Sequence, residues 1–221
     1  MTRWIRSFDF PDVGWLQLSV NDPDGAELAA REIAQRPGDR ARQYAEAVYP
    51  ELKVIWENMR KREAAPVVLY VPLVPQGAPP LVPASAYVEG ALCAPAERTV
   101  EAVLDQVRRP QPYRHGRPEI TVLELPAGPA CRLHELMLED KGDDGRRFVI
   151  EHVDYFFLPP VFPEVLFKLS VNWASPAVGP EMVDIADAMA ATLRISPEQE
   201  GGGARAQGEQ DLLAEGAREP R

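Results

Sequence analysis

Residues 165–173 alternate without interruption: Val165, Phe167, Leu169, Val171 and Trp173 share one parity, and Leu166, Lys168, Ser170 and Asn172 the other. A period of two sustained over this length marks a β-strand that packs one face on a core. A second pattern follows at once. Met182, Ile185, Ala186, Met189 and Leu193 recur at spacings of three and four, so this segment forms an amphipathic helix whose stripe can lie on the strand's apolar face. Just upstream, residues 148–158 form another apolar-rich strand, joined to the first through a corner holding Pro159, Pro160 and Pro163. Any fold open to this chain must bring strand, corner, strand and helix into one core.

The remaining elements arrange themselves around that unit. Residues 14–20 read as a strand, and residues 26–36 as a helix stopped by Pro37 and Gly38. Asp39 opens a longer helix to residue 62. Its stripe of Tyr44, Val48, Leu52, Ile55 and Met59 keeps phase across Pro50, which predicts one kinked element rather than two. Short apolar runs at 66–74 and 84–93 are strands linked by a Pro/Gly-rich connection, and 97–108 is a helix with Val100, Val103, Leu104 and Val107 inward. A proline-laden loop at 110–118 leads into four consecutive strands, 120–125, 130–139, 148–158 and 165–173, with a polar turn at 140–145. The order β, α, α, β, β, α, β, β, β, β, α, with mostly hairpin links, predicts an α+β fold. A largely antiparallel sheet is flanked by helices in an α/β/α-type sandwich, and the terminal helix packs on the sheet. Residues 1–195 are expected to form a single domain. Residues 196–221, polar and acidic with Leu212 and Leu213 as a bulky apolar pair, are expected to form a disordered tail.

Charge and composition exclude several function classes. A net charge of −10 repels phosphate backbones, which argues against nucleic acid as a partner. No run approaches the ~20 apolar residues of a membrane span, so no membrane insertion is expected. The opening Met1, Thr2, Arg3, Trp4, Ile5, Arg6 lacks the pattern of a secretory signal, and a cytoplasmic location is the expectation. Cys93 and Cys131 stand in predicted strands without a second thiol or histidine at ligand spacing, so both are expected reduced and buried. The abundance of Ala, Arg, Gly and Pro suits a G+C-rich bacterial genome.

The element order, with a run of antiparallel strands ending in the helix Asp184-Ile185-Ala186-Asp187-Ala188 and then Thr192-Leu193-Arg194-Ile195, resembles the Mog/PsbP-like α/β sandwich superfamily, whose bacterial members include LpqN-type proteins. The likeness is clearest over 120–195, is topological over 14–107 and excludes the tail. It implies the sandwich fold and a binding or accessory role. Accessory work in a bacterial secretion or envelope system follows from this resemblance alone. The chain departs from the lipoprotein members in having neither a signal sequence nor a lipidated cysteine near its start.

The residues themselves offer two candidate sites. If the 140–145 turn sets a register in which paired residue numbers sum to 286, His134 faces His152 and Arg132 faces Asp154 across adjacent strands. Two facing imidazoles beside an Arg and an Asp could hold a small molecule or sense pH. No third or fourth ligand accompanies them, so no metal site is assigned. The same register sets Glu135 against Glu151. The second candidate is the aromatic cluster at the proline corner: consecutive aromatics on a strand point to both faces, so Tyr155, Phe157 and Phe162 could include an exposed anchor for a protein partner. No glycine run forms a phosphate cradle and no serine stands in a nucleophile elbow, so neither a cofactor nor a catalytic residue is assigned. The leading expectation is a non-enzymatic cytoplasmic binding or accessory protein acting through protein contacts at the corner or the 110–118 loop. The alternative is a small-molecule-binding or hydrolytic protein using the histidine face.

Overall fold

The computed structural model of the chain describes residues 4–73, 81–141 and 146–198. The fold is α+β, as the element order predicts. Its strands are β1 (Trp4–Ser7), β2 (Trp15–Gln17), β3 (Val67–Tyr70), β4 (Ala84–Leu92), β5 (Arg114–Leu125), β6 (Gly128–Lys141), β7 (Arg146–Phe157), β8 (Val165–Trp173) and β9 (Arg194–Pro197). Its helices are α1 (Gly25–Ala34), α2 (Ala41–Lys61), α3 (Val100–Val107) and α4 (Gly179–Thr192). Seven strands form one antiparallel sheet in the order β2-β3-β4-β8-β7-β6-β5, and β1 pairs with β9 in a separate two-stranded sheet. The chain divides into two units, of which Arg6–Ile195 is the larger and carries the seven-stranded sheet and the four helices of the described residues.

Cross-strand partners share a face, so the registers assign each face of the sheet directly. On one face α1 and α2 cover β2 to β4, where Ile33, Val48 and Leu52 join Leu16, Val67, Leu69 and Tyr87 in one apolar cluster. Further along the same face α3 covers β5 to β7, with Val103 and Val107 against Cys131 and Leu133. The opposite face is covered by α4, whose buried Met182, Ala186, Met189 and Ala190 lie toward β7 and β8. There Phe167, Leu169, Val171 and Trp173 are all buried, as the alternation of 165–173 requires.

Several boundaries differ from the sequence reading, each for a local reason. Pro50 is not among these differences: it lies inside a continuous α2, one element as its apolar stripe predicts. The helix expected from residue 97 begins at Val100: a 3₁₀ turn over Pro95–Glu97 precedes it, and the Thr99 hydroxyl caps it by accepting from the Ala102 N–H at 3.1 Å. The loop expected over 110–118 is instead partly strand. β5 starts at Arg114, pairs Arg114 with Met137 and His115 with Leu136, then shifts register before Glu119. Gly116, at a φ of +78°, supplies the left-handed residue of that irregularity. Ser196 and Pro197, placed in the tail by composition, lie in β9, while the expected disorder of 199–221 and the turn residues 142–145 fall outside the described residues. Both cysteines are free, Cys131 buried and Cys93 half-buried. Among the described residues no helix is long and apolar enough to cross a membrane.

Candidate functional site

The β6–β7 register runs through Glu135↔His152, His134↔Val153 and Arg132↔Tyr155, so paired numbers sum to 287 and not 286. This one-residue difference overturns the expected histidine pair. His134 and Arg132 lie on the α4 face, whereas His152 and Asp154 lie on the face shared by α2 and α3. The observed register suits the glutamates, while Arg132 finds Asp187 in place of Asp154. A sum of 286 would oppose Glu135 to Glu151, and like charges directly opposite are destabilising; the observed register gives each glutamate a histidine instead.

On the α2/α3 face the result is a line of charge across five strands. Arg114 on β5 pairs with Glu135 on β6, both buried, and its guanidinium also donates to the Val107 and Arg109 carbonyls at the end of α3, each at 3.0 Å. Glu135 Oε1 lies 3.2 Å from His152 Nε2, which is 3.8 Å from Asp154 Oδ2. Lys168 Nζ on β8 is 4.0 Å from that same Asp154 oxygen and 2.8 Å from Glu89 Oε1 on β4, and Glu89 reaches Arg62 after α2 at 3.7 Å. The Arg114–Glu135, Lys168–Asp154, Lys168–Glu89 and Arg62–Glu89 contacts each join opposite signs, and His152 stands between Glu135 and Asp154. Burial pushes the Glu135 pKa up, but hydrogen bonds from His152 and Arg114 outweigh it and hold the carboxyl below its ordinary value. Burial likewise pulls Lys168 down, and Asp154 and Glu89 more than offset it. Two buried polar atoms here have no hydrogen-bond partner: His152 Nδ1, on a residue 4% exposed, and Ser170 Oγ, on one 1% exposed. Ser170 stands directly opposite Asp154, so both atoms belong to the same part of the ladder.

The α4 face uses its polar groups differently. His134 Nε2 lies 2.7 Å from Glu151 Oε1, and the Trp173 indole donates to Glu151 Oε2 at 3.0 Å. The Glu151 carboxylate sits against the start of α4, so close that a Cβ added to Gly179 would meet Oε2 at 2.7 Å. A carboxylate at a helix N-terminus is favourably placed in the helix dipole. Farther along α4, Asp187 accepts from Tyr155 OH and from Arg132 Nε, the latter at 2.9 Å. Burial, reinforced by Asp187, pushes the Tyr155 phenol well above its ordinary pKa and keeps it a donor. Arg132 and Tyr155 therefore tether α4 to β6 and β7 through Asp187, while His134, Glu151 and Trp173 form a hydrogen-bonded group on the sheet beside the start of the helix.

The aromatic corner is interior. Phe162 is 5% exposed and meets Phe167 edge-on with ring centroids 6.1 Å apart, while Tyr155 and Phe157 are buried and stack at 6.2 Å. The corner folds Phe162 inward: its N–H donates to the Pro159 carbonyl at 3.1 Å, and its carbonyl accepts from Val165 at 3.1 Å. Val161, 69% exposed, is the apolar residue the corner presents outward. None of Tyr155, Phe157 and Phe162 is the exposed anchor that the sequence suggested.

What sequence reasoning missed is a groove on the outer side of α4. The segment between β1 and β2 crosses this helix as a strap, fastened where the Asp9 N–H donates to Thr192 Oγ1 at 2.9 Å and the Gly14 carbonyl accepts from Val71 at 2.7 Å. On one side of Pro11 lies a depression of about 380 Å³ with Phe10, Ile185, Ala188 and Met189 in its walls and Asp9, Glu181 and Asp184 among its lining. On the other lies one of about 280 Å³, walled by Val13, Trp15, Tyr70, Met182 and again Ile185. The available signal was Ile185. It sits one step round the helix from the buried Met182, Ala186 and Met189 and is only half-buried, so the stripe is wider than the sheet contact needs.

No protein-family model matches the chain, and no curated protein matches it. Among solved structures it is similar to LpqN, described as involved in cell envelope biogenesis of Mycobacterium tuberculosis, with a TM-score of 0.44 and 12% identity over 89% of this chain and 86% of that one.

Proposed function

We propose that the chain is a non-enzymatic binding protein that acts through protein–protein contacts, and that the strap groove on α4 is its contact surface. The observation that carries this reading is the pair of adjoining depressions sharing Ile185 and Pro11, the larger of a volume typical of ligand sites. Its walls combine aromatic and aliphatic side chains from three separate segments, the composition that interface cores favour. Membership of the Mog/PsbP-like superfamily belongs to this proposal and rests on the sequence resemblance. A photo-crosslinking residue in place of exposed Ala188, compared with one in place of exposed Val54 on α2, tests the reading in the native host. A discrete protein adduct from position 188 and none from position 54 is expected; equal or absent adducts at both positions would overturn it.

A second reading is favoured by one observation, the unpartnered His152 Nδ1 and Ser170 Oγ in the charge ladder. A small polar molecule that displaces the 4.0 Å Lys168–Asp154 contact would reach both atoms. Its site is then His152, Asp154, Lys168 and Ser170 rather than the four residues expected from sequence. Native mass spectrometry of the purified protein tests it: a stoichiometric bound mass lost in Ser170→Ala supports the site, and an identical unliganded mass in both proteins counts against it.

A further inference from the structure

We propose that the segment seated in the strap groove is basic as well as apolar: a peptide stretch of the partner in which bulky hydrophobic side chains alternate with lysine or arginine. This rests on the groove being the contact surface. The walls are apolar, but the charged residues lining the two depressions are all acidic: Asp9, Glu181 and Asp184. All three are exposed, and among the described residues none takes part in an ion pair. The contrast with the sheet is informative, because Glu135, Asp154 and Glu89 each have a cation within reach, as does Asp187 farther along α4. Glu181 lies in the first turn of α4, where the helix dipole accounts for an acidic residue. Asp184 and Asp9 have no such account. A partner that buries apolar side chains beside three carboxylates without an ion-pair partner must either leave them hydrated at the rim or bring cations to them. A neutral partner can only leave them hydrated and a like-charged one adds repulsion, so the rim favours a cationic flank and speeds its approach to a chain of net charge −10.

The depressions lie on either side of Pro11 and share one wall in Ile185, which suits two apolar side chains of one extended or helical segment better than a single compact molecule. The probes are three synthetic peptides of equal length in which leucine alternates with lysine, glutamine or glutamate, titrated into the full chain with amide chemical shifts as the readout. The lysine peptide is expected to perturb residues around Ile185 and Thr192 and to bind at least about tenfold more tightly than the glutamine peptide, with the glutamate peptide weaker still. Asp184→Asn combined with Glu181→Gln should remove most of that advantage, whereas Asp105→Asn, an exposed carboxylate on α3, should leave it intact. Ile185→Ser should weaken the lysine and glutamine peptides alike. If those two peptides bind equally at the groove, the basic partner is wrong while the contact surface stands. If lysine-peptide binding responds as much to Asp105→Asn as to the rim variant, the attraction is non-specific and the proposal fails. Binding of none of the peptides, or self-association of the chain that Ile185→Ser abolishes, would put another occupant in the groove and also overturn it.

Discussion

The two faces of β6, β7 and β8 are made by alternate residues of the same three strands, yet they are held together by different physics. Toward α4, Val153, Tyr155, Phe157, Phe167, Leu169 and Val171 form a buried apolar surface, and of the polar groups on that side Arg132 binds the helix through Asp187 while His134 pairs with Glu151 beside its start. Toward α2 and α3, a line of opposed charges from Arg114 to Arg62 occupies the span between the two helix layers. Hydrocarbon burial is non-directional and tolerates small shifts, whereas the charge line holds only if each residue meets one particular neighbour. The apolar face therefore supplies most of the stability, and the charged face specifies the register.

Substitutions on the two faces should differ accordingly. The largest effect is expected at Phe167, whose ring is fully buried between the sheet and the corner: Phe167→Ala should cost about 3 to 5 kcal/mol in denaturant unfolding. A cost below about 1 kcal/mol would show that α4 and the corner do not pack as described. Next is Glu135→Ala, which strands the buried Arg114 and His152 without their shared carboxylate and should cost about 3 kcal/mol. The same residue gives the charged face a pH signature. The native pKa of Glu135 lies below its ordinary value, so on acidification the unfolded chain takes up the proton first. Its stabilising contribution is intact above about pH 4.3 and is lost as pH falls through the lower native pKa. Glu135→Gln should therefore flatten the acid limb of the stability profile relative to the natural chain. An unchanged slope would mean that the carboxylate is not engaged. Smaller again is Tyr155→Phe, which removes the hydroxyl that tethers Asp187 while leaving the ring packed, at an expected cost of about 1 to 2 kcal/mol. If its effect matched that of Phe167→Ala, the tether and not the apolar surface would dominate the α4 face.

Much of the apolar face is legible in the sequence, because hydrophobic periodicity is a local signal. The bounds of β8 and the inward positions Met182, Ala186 and Met189 can be read without any knowledge of what lies across the sheet. The charged face is not local. Whether His152 meets His134 or Glu135 depends on the parity of the connection between β6 and β7, and in the observed register four residues, 142–145, separate the paired Lys141 and Arg146. A shift of one reverses every facing, so the histidine pair disappears although both strands are correctly placed. Pairing by charge gives opposing signals, since the register summing to 286 sets Glu135 against Glu151 but also Arg132 against Asp154. The corner aromatics failed for a different reason: alternation says that Tyr155 and Phe157 share a face, but not that α4 covers it. The strap groove is less legible still, because it joins residues 9–13 to residues 178–192 and no short-range pattern links them.

The division of the two faces can be measured by double-mutant cycles in chemical denaturation, using Glu135→Gln with His152→Gln and, separately, His134→Gln with His152→Gln. With Glu135 and His152 in contact and the two histidines on opposite sides of the sheet, the first cycle should show a coupling of about 1 to 3 kcal/mol and the second no more than about 0.5 kcal/mol. Strong coupling between the histidines, with none between Glu135 and His152, would contradict the register and the division of the faces that follows from it.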